Sequence, residues 1–220
     1  VAYIDFVGVL HTATRRDYVQ RVVEHDKAAC AEIACQFGED YWDGDRAHGY
    51  GGYRYDGRWR PVAEAMVEHY CLEPGARILD IGCGKAFLLY EFTQVLDGVE
   101  VAGIDVSEYG IAHAKPEVRD ALRVGSAVEL PWPDRHFDFV LSVNTFHNLH
   151  NYELYPALRE MQRVGRGAKH ITVESYRNER EKANLLYWQL TCRAFQTPAE
   201  WEFSFAQAGY DGDYGCIYFE

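Results

Sequence analysis

Residues 77–86, Arg-Ile-Leu-Asp-Ile-Gly-Cys-Gly-Lys-Ala, come nearest in this chain to a ligand-binding turn. The apolar residues Ile78, Leu79 and Ile81 read as a buried strand. That strand runs straight into Gly82-x-Gly84-x-Ala86, and a helix-like segment from Phe87 to Leu96 follows. A strand that ends in small residues and opens a helix lets backbone N–H groups approach a ligand. Two chemistries use such a turn: dinucleotide binding and S-adenosylmethionine (SAM) binding. The dinucleotide form needs a small residue where this chain has Phe87. The SAM form spaces its small residues as Gly-x-Gly-x-Gly, and here Ala86 stands third. A second strand, Val99 to Asp105, alternates apolar residues and ends in an acid 21 residues beyond Gly84. A carboxylate at that reach can accept both hydroxyl hydrogens of a ribose. As a purely structural residue, Asp105 would be a turn or helix-cap acid before Ser107.

Two further pieces follow in order. Arg123-Val-Gly-Ser-Ala127 reads as a short strand end where an adenine edge would sit. After the Pro-rich turn Leu130–Asp134, the strand Phe137–Val143 ends at Asn144-Thr-Phe-His-Asn-Leu149. As a set, over roughly residues 60–175, these elements resemble the class I SAM-dependent methyltransferases. The resemblance implies an α/β fold: a doubly wound, mostly parallel seven-stranded sheet with helices on both faces. It also implies SAM as cofactor, S-adenosylhomocysteine as product, and SAM lying across the carboxyl ends of the first strands. Its cofactor contacts would be Asp80, Gly82, Cys83, Gly84, Asp105, Val106, Ser126, Ala127 and Asn144. Two positions depart from the family pattern. Ala86 replaces a glycine with a methyl small enough to be tolerated. Ser126 replaces the usual Asp or Asn at the adenine amino group, and a hydroxyl accepts that bond more weakly than a carboxylate.

Methyl transfer from a sulfonium is an in-line displacement, so positioning carries much of the catalysis. A base is needed where the acceptor must lose a proton. The candidates lie at strand ends: Asn144, His147 and His150 after the fourth strand, with Tyr152 behind, and Glu174 after the fifth. His147 is the expected base or acceptor-orienting group, because imidazole titrates near neutrality and the family pattern faces it toward the methyl donor. Asn144 is expected to contact the donor end of SAM. His147 and His150 could share a metal if helical, but no carboxylate follows until Glu153, so no metal is expected.

The chain has 220 residues, 48% of them hydrophobic, enough for one sizeable core. Its net charge of −12, without any Lys/Arg-rich run, argues against nucleic acid as a partner. Six scattered cysteines without paired metal spacing read as reduced thiols, and no apolar run approaches spanning length. The expectation is a cytoplasmic enzyme, off the membrane, acting on oxygen or nitrogen of a small-molecule acceptor. The alternatives are a protein or peptide side chain as acceptor, or a catalytically silent SAM-binding scaffold.

The positioning elements come next. Val1–Leu10 is apolar and expected to pack on the domain or on a second subunit, the latter giving a homodimer. Residues 12–37 read as a helix capped by Thr12 or Thr14 and ended by Gly38. Residues 39–60 break all periodicity with five glycines, four tyrosines and two tryptophans. A loop of this length in a compact domain is commonly a lid or binding loop. Trp42, Arg46, Tyr50, Tyr53 and Arg58 within it, with His150, are the expected acceptor contacts; the bland alternative is a self-packed Ω-loop. Residues 1–60 thus form an N-terminal helical cap and aromatic, Gly-rich lid, and residues 61–220 the SAM-binding domain. Helices are expected at Pro61–Tyr70, Tyr152–Val164, 178–190 and from Thr197 to Ala208. The fifth strand is placed at Lys169–Glu174 and the last at Tyr214–Phe219. The sixth falls in Leu190–Gln196, or the sheet is one strand short.

Overall fold

A computed structural model describes residues 1–12 and 16–220. One sheet runs β1 (Arg77–Ile81), β2 (Glu100–Asp105), β3 (Leu122–Val124), β4 (Phe137–Val143), β5 (Gly165–Glu174) and β6 (Asp213–Ile217) along the chain. In space the order is β3-β2-β1-β4-β5-β6, every neighbouring pair parallel. The expected seven strands are six. Residues 190–196 form no strand because two of their amides are spent elsewhere: Arg193 and Ala194 both donate to the carbonyl of His147, at 2.8 and 2.9 Å. They brace the turn after β4 instead of extending a ladder.

Ten helices among the described residues surround this sheet. The N-terminal four are α1 (Gly8–Thr12), α2 (Tyr18–Glu24), α3 (Lys27–Ala34) and α4 (Glu39–Trp42). The remainder are α5 (Arg60–His69), α6 (Phe87–Val95), α7 (Glu108–Ala112), α8 (Asn151–Val164), α9 (Glu179–Trp188) and α10 (Pro198–Ala208). The period-2 alternation of β1 divides the core. Leu79 and Ile81 join the cluster beneath α8 and α10, with Trp201 and Phe205. Ile78 joins the cluster beneath α5 and α6, with Met66 and Phe92. Both sheet faces are therefore covered, as a parallel sheet requires. The chain winds outward one way through β2 and β3, then the other way through β4, β5 and β6. The reversal lies between β1 and β4, and ligands bind at the carboxyl ends beside such a switch point.

The single helix expected over 12–37 is broken. Asp17 caps α2 by accepting from Gln20 N, and Asp26 caps α3 by accepting from Ala28 N and Ala29 N. Each aspartate offers the backbone a cap in place of continued helix. Thr12 falls at the end of α1, and Thr14 lies outside the described residues. The left-handed residue after α3 is Phe37 (φ 50°), not Gly38, which instead precedes α4. The later helices fall where expected. Thr197 and Glu200 form a capping box at the start of α10, and Gly209 closes it at φ 72°. The opening residues pack on the domain itself: Ile4 N donates to Tyr214 O (2.7 Å) and Tyr214 N to Ala2 O (2.9 Å), along β6.

Candidate active site

At the carboxyl end of β1 the glycines are required by close approach. A Cβ on Gly82 (φ 83°) would stand 1.9 Å from Thr145 Oγ1, and one on Gly84 (φ 52°) 2.6 Å from the Trp42 ring. The turn's amides are largely committed within the protein. Gly82 N and Cys83 N donate to Ile104 O, Gly84 N to Asp105 Oδ2 and Ala86 N to Cys83 O. The turn thus shapes a surface more than it presents donors, which suits a ligand without a phosphate. The Cys83 thiol points into the sheet, in the space a Cβ on Gly103 would need, and burial pushes its pKa up. Ala86 tests its glycine-like position by conformation rather than size, holding φ 56° with its methyl buried.

Asp105 holds the turn before Ser107. One oxygen accepts from Ser107 N and the other from Gly84 N, each at 2.8 Å, and Ser107 caps α7. Each oxygen keeps a second lone pair for a hydroxyl. Burial raises the Asp105 pKa and the two amides pull it back. Val106 is 54% exposed beside it, an apolar surface of the kind an adenine face covers. Ser126 is half-buried and accepts from Val128 N, and Ala127 is buried.

Three buried acceptor oxygens around the switch point have no hydrogen-bond partner: Asp80 Oδ1, Asn144 Oδ1 and Glu174 Oε2. Burial, with Asp105 nearby, pushes Asp80 up to about 8. Asn144 sits at φ 58°, a left-handed conformation that asparagine tolerates better than most residues. Orphaned buried oxygens cost free energy unless a ligand supplies donors or positive charge.

Glu174 ends β5 and takes a bond from Gln189 Nε2 on one oxygen. Burial pushes its pKa up to about 8, while the Arg16 guanidinium pulls it back. His147 stands behind it. Its Nδ1 accepts from Glu174 N at 3.1 Å, which leaves Nε2 to carry the proton toward Glu174 Oε2 at 3.4 Å. Burial holds the imidazole down to about 3, so it is neutral.

A cavity of about 470 Å³ opens from these strand ends beneath residues 39–60. Asn144, Glu174, Arg46, Tyr50, Tyr53 and Arg58 all line it. His147, His150 and Trp42 do not. His150 is exposed at the start of α8, where its N–H goes to Glu153, so the two histidines part rather than converge. Trp42 lies on the glycine turn and donates its indole N–H to Ser107 Oγ (2.8 Å). From it an aromatic chain runs through Tyr50 (5.3 Å between centroids) and Tyr53 (4.6 Å) to Phe87 (4.9 Å). Lys85 clamps the same segment: its buried ammonium meets Asp43 at 2.6 Å and Tyr53 O at 2.9 Å. Tyr41, Arg16, Arg21 and Trp188 also line the cavity and were not singled out from sequence. They come from elements far apart in the chain, with no local motif to mark them.

A doubly wound parallel sheet, a glycine turn after β1 and an acid closing β2 meet at the switch point, the arrangement the sequence resemblance implies. Residues 79–171 match the family model described as a methyltransferase domain. That match agrees with the resemblance to the class I SAM-dependent methyltransferases drawn from the sequence. It is 28% identical over 141 residues to a demethylmenaquinone methyltransferase of Lysinibacillus sphaericus, covering 61% of this chain and 58% of that one. It is 30% identical over 114 residues to a sterol 24-C-methyltransferase of Gibberella zeae, covering 46% of this chain and 29% of that one. The chain thus spans little more than half the length of the first of these relatives and less than a third of the second. Among solved structures, a protein described as the [4+2]-cyclase SpnF shares the fold over 95% of this chain and 73% of its own, with TM-score 0.57 and 23% identity. No helix among the described residues is long and apolar enough to cross a membrane.

Proposed function

We propose that this protein transfers a methyl group from SAM to an oxygen or nitrogen of a small molecule held beneath residues 39–60. The observation that carries the reading is the pairing of orphaned oxygens with an enclosed space. Asp80, Asn144 and Glu174 aim unpartnered acceptors at the switch point, and two of the three residues line a cavity of about 470 Å³. That volume lies within the roughly 300–1,000 Å³ typical of small-ligand sites. It favours a metabolite over a folded protein as acceptor. The names of the two curated relatives, acting on a demethylmenaquinone and a sterol, agree with that scale.

The residues present fit SAM. Asp105 would take the ribose hydroxyls, Val106 and Ala127 the adenine face, Ser126 the adenine edge, and Asp80 with Asn144 the cationic end. When bound, SAM supplies an activated methyl on a positively charged sulfur. The protein's own part is to position the acceptor and receive its proton. Glu174 is the base: it lines the cavity, its Oε2 has no hydrogen-bond partner and stands 3.4 Å from His147 Nε2, and its carboxyl is raised toward the pH at which it must work. With SAM bound, the acceptor's O–H or N–H proton would go to that carboxylate while the methyl–sulfur bond breaks and S-adenosylhomocysteine is the leaving group. His147, which the sequence favoured for this role, instead positions Glu174 through its two contacts with that residue. Residues 39–60 exclude water with their aromatic rings.

Calorimetry with SAM, S-adenosylhomocysteine and NAD tests the reading at its base. SAM and its product should bind one to one and raise the melting temperature by mass action, while NAD does neither. Preference for NAD would overturn it.

A further inference from the structure

The cavity that Glu174 and Asn144 line is also rich in cations. Five of the chain's 22 basic side chains line this one space, Arg16, Arg21, Arg46, Arg54 and Arg58, in a protein of net charge −12. Arg58 is committed to Asp56, with bonds of 2.5–2.9 Å. Three of the others gather around one indole. The guanidinium carbons of Arg21, Arg16 and Arg46 lie 4.7, 5.4 and 5.5 Å from the Trp188 ring centroid. One ring face offsets part of a single positive charge, not three. Arg21 donates to the carbonyls of Arg46 and Ala47, and Arg46 to those of Gly49 and Tyr50. Neither of these two stands in an ion pair with a carboxylate among the described residues. Burial holds Arg16 and Arg21 below the usual guanidinium range, and Arg46 lowers both further by repulsion. Three like charges brought together in a half-buried space leave a strong positive potential in the cavity.

Resting on the methyl-transfer reading above, we infer that the acceptor is a small oxyanion. The arginines that meet at Trp188 would hold its carboxylate or phosphate, and its methylated oxygen or nitrogen would reach Glu174 and Asn144. Guanidinium forks match both anions bidentately, so the shared chemistry is two or more adjacent charged oxygens. The anion also supplies a carboxylate-like countercharge to Arg21 and Arg46, and the cavity of about 470 Å³ has aromatic residues among its lining. Specificity would then lie in the charge at the far end of the acceptor, since a neutral analogue offers Arg21 and Arg46 no carboxylate or phosphate.

The test uses the full chain loaded with S-adenosylhomocysteine and three probes: inorganic phosphate, benzoate and neutral benzyl alcohol. At least one anion should bind in the millimolar range or tighter, and benzyl alcohol at least tenfold more weakly. Preference for phosphate or for benzoate then tells which oxyanion the site takes. Arg21→Gln and Arg46→Gln should each cut anion affinity at least tenfold while SAM affinity stays within threefold of wild type. Arg21→Lys, which keeps the charge and loses the fork, should recover part of the loss. Binding of benzyl alcohol as tight as that of the better anion, or no anion binding by a protein that still binds SAM, would overturn the inference. So would loss of SAM affinity alongside anion affinity, since the arginines would then serve the cofactor's own carboxylate. Failure of SAM itself to bind wild-type protein would instead strike the methyl-transfer reading, and the comparison of anion with alcohol would still judge the cavity.

Discussion

Two carboxylates in this site differ in what surrounds them, and their variants should fail differently. Asp105 is held by the amides of Gly84 and Ser107 and offers its remaining lone pairs outward. Asp105→Asn keeps the size but loses charge-assisted bonds worth roughly 1.5–3 kcal/mol each, so SAM affinity should fall at least tenfold by calorimetry with the fold intact. An unchanged dissociation constant would return Asp105 to the part of a cap acid alone. Glu174 should behave the other way. Glu174→Gln should leave SAM affinity near wild type and lower kcat on the order of 100-fold or more, the typical share of a general base. Its titration also has a stability signature. A carboxyl raised from 4.5 to about 8 by folding keeps its proton in the native state over that window and loses it in the unfolded one. Native stability is therefore greatest at low pH for this group and declines as pH rises from 4.5 toward 8, by at most about 1.4 kcal/mol per pH unit. His147, lowered to about 3, works in the opposite sense, adding stability as pH rises from 3 to 6.5. Of these two groups, only Glu174 contributes above pH 6.5, and the Asp80 slope is common to wild type and variant. Glu174→Gln should thus gain melting temperature on wild type between pH 6.5 and 8; a constant difference would place the Glu174 pKa outside that range.

At the scale of elements, the glycine turn and the aromatic segment 39–60 act as one unit. Lys85 belongs to the turn, its side chain is 5% exposed, and its countercharge comes from Asp43 across the gap. Tyr109 of α7 donates to the same carboxylate, and Trp42 reaches Ser107 at the start of α7. The segment is thus fastened to both flanks of the expected cofactor site. Its amides at Tyr50, Gly52 and Tyr53 are bonded back to Tyr41 and Trp42. These three amides should be protected from hydrogen exchange in the free protein and slow further when S-adenosylhomocysteine is added. Asp43→Ala strands a buried ammonium. Since Asp43 itself is partly exposed, the expected cost is about 2 kcal/mol, below the 3–5 typical of fully buried pairs. Faster exchange confined to residues 50–53 in that variant would mark the Lys85–Asp43 pair as the fastening. Uniform loss of protection would show that the segment unfolds only with the whole domain.

Across the whole molecule, what was legible in the sequence was what one stretch of chain fixes by itself. Gly82-x-Gly84 could be read because a tight turn tolerates so few residues, and Asp105 because its distance along the chain sets its place at the next strand end. The Thr197 box and Gly209 followed from capping chemistry. The strand count failed because residues 190–196 give amides to the His147 carbonyl, a tertiary bond no periodicity announces. That Glu174 lines the cavity and His147 does not was hidden for a similar reason: it depends on how the turn after β4 packs against β5. The arginines around Trp188 were least visible, since residues 16, 21, 46 and 188 meet only in the folded chain. The proposal for this cavity is methyl transfer to a small molecule with Glu174 as base. Methyl-labelled SAM incubated with the protein and a dialysed-out metabolite extract tests it most directly. Label should pass into a dialysable product with one S-adenosylhomocysteine formed per methyl, and Glu174→Gln should lose nearly all of that transfer while still binding SAM. Label in no small product, or equal transfer by wild type and Glu174→Gln, would contradict it.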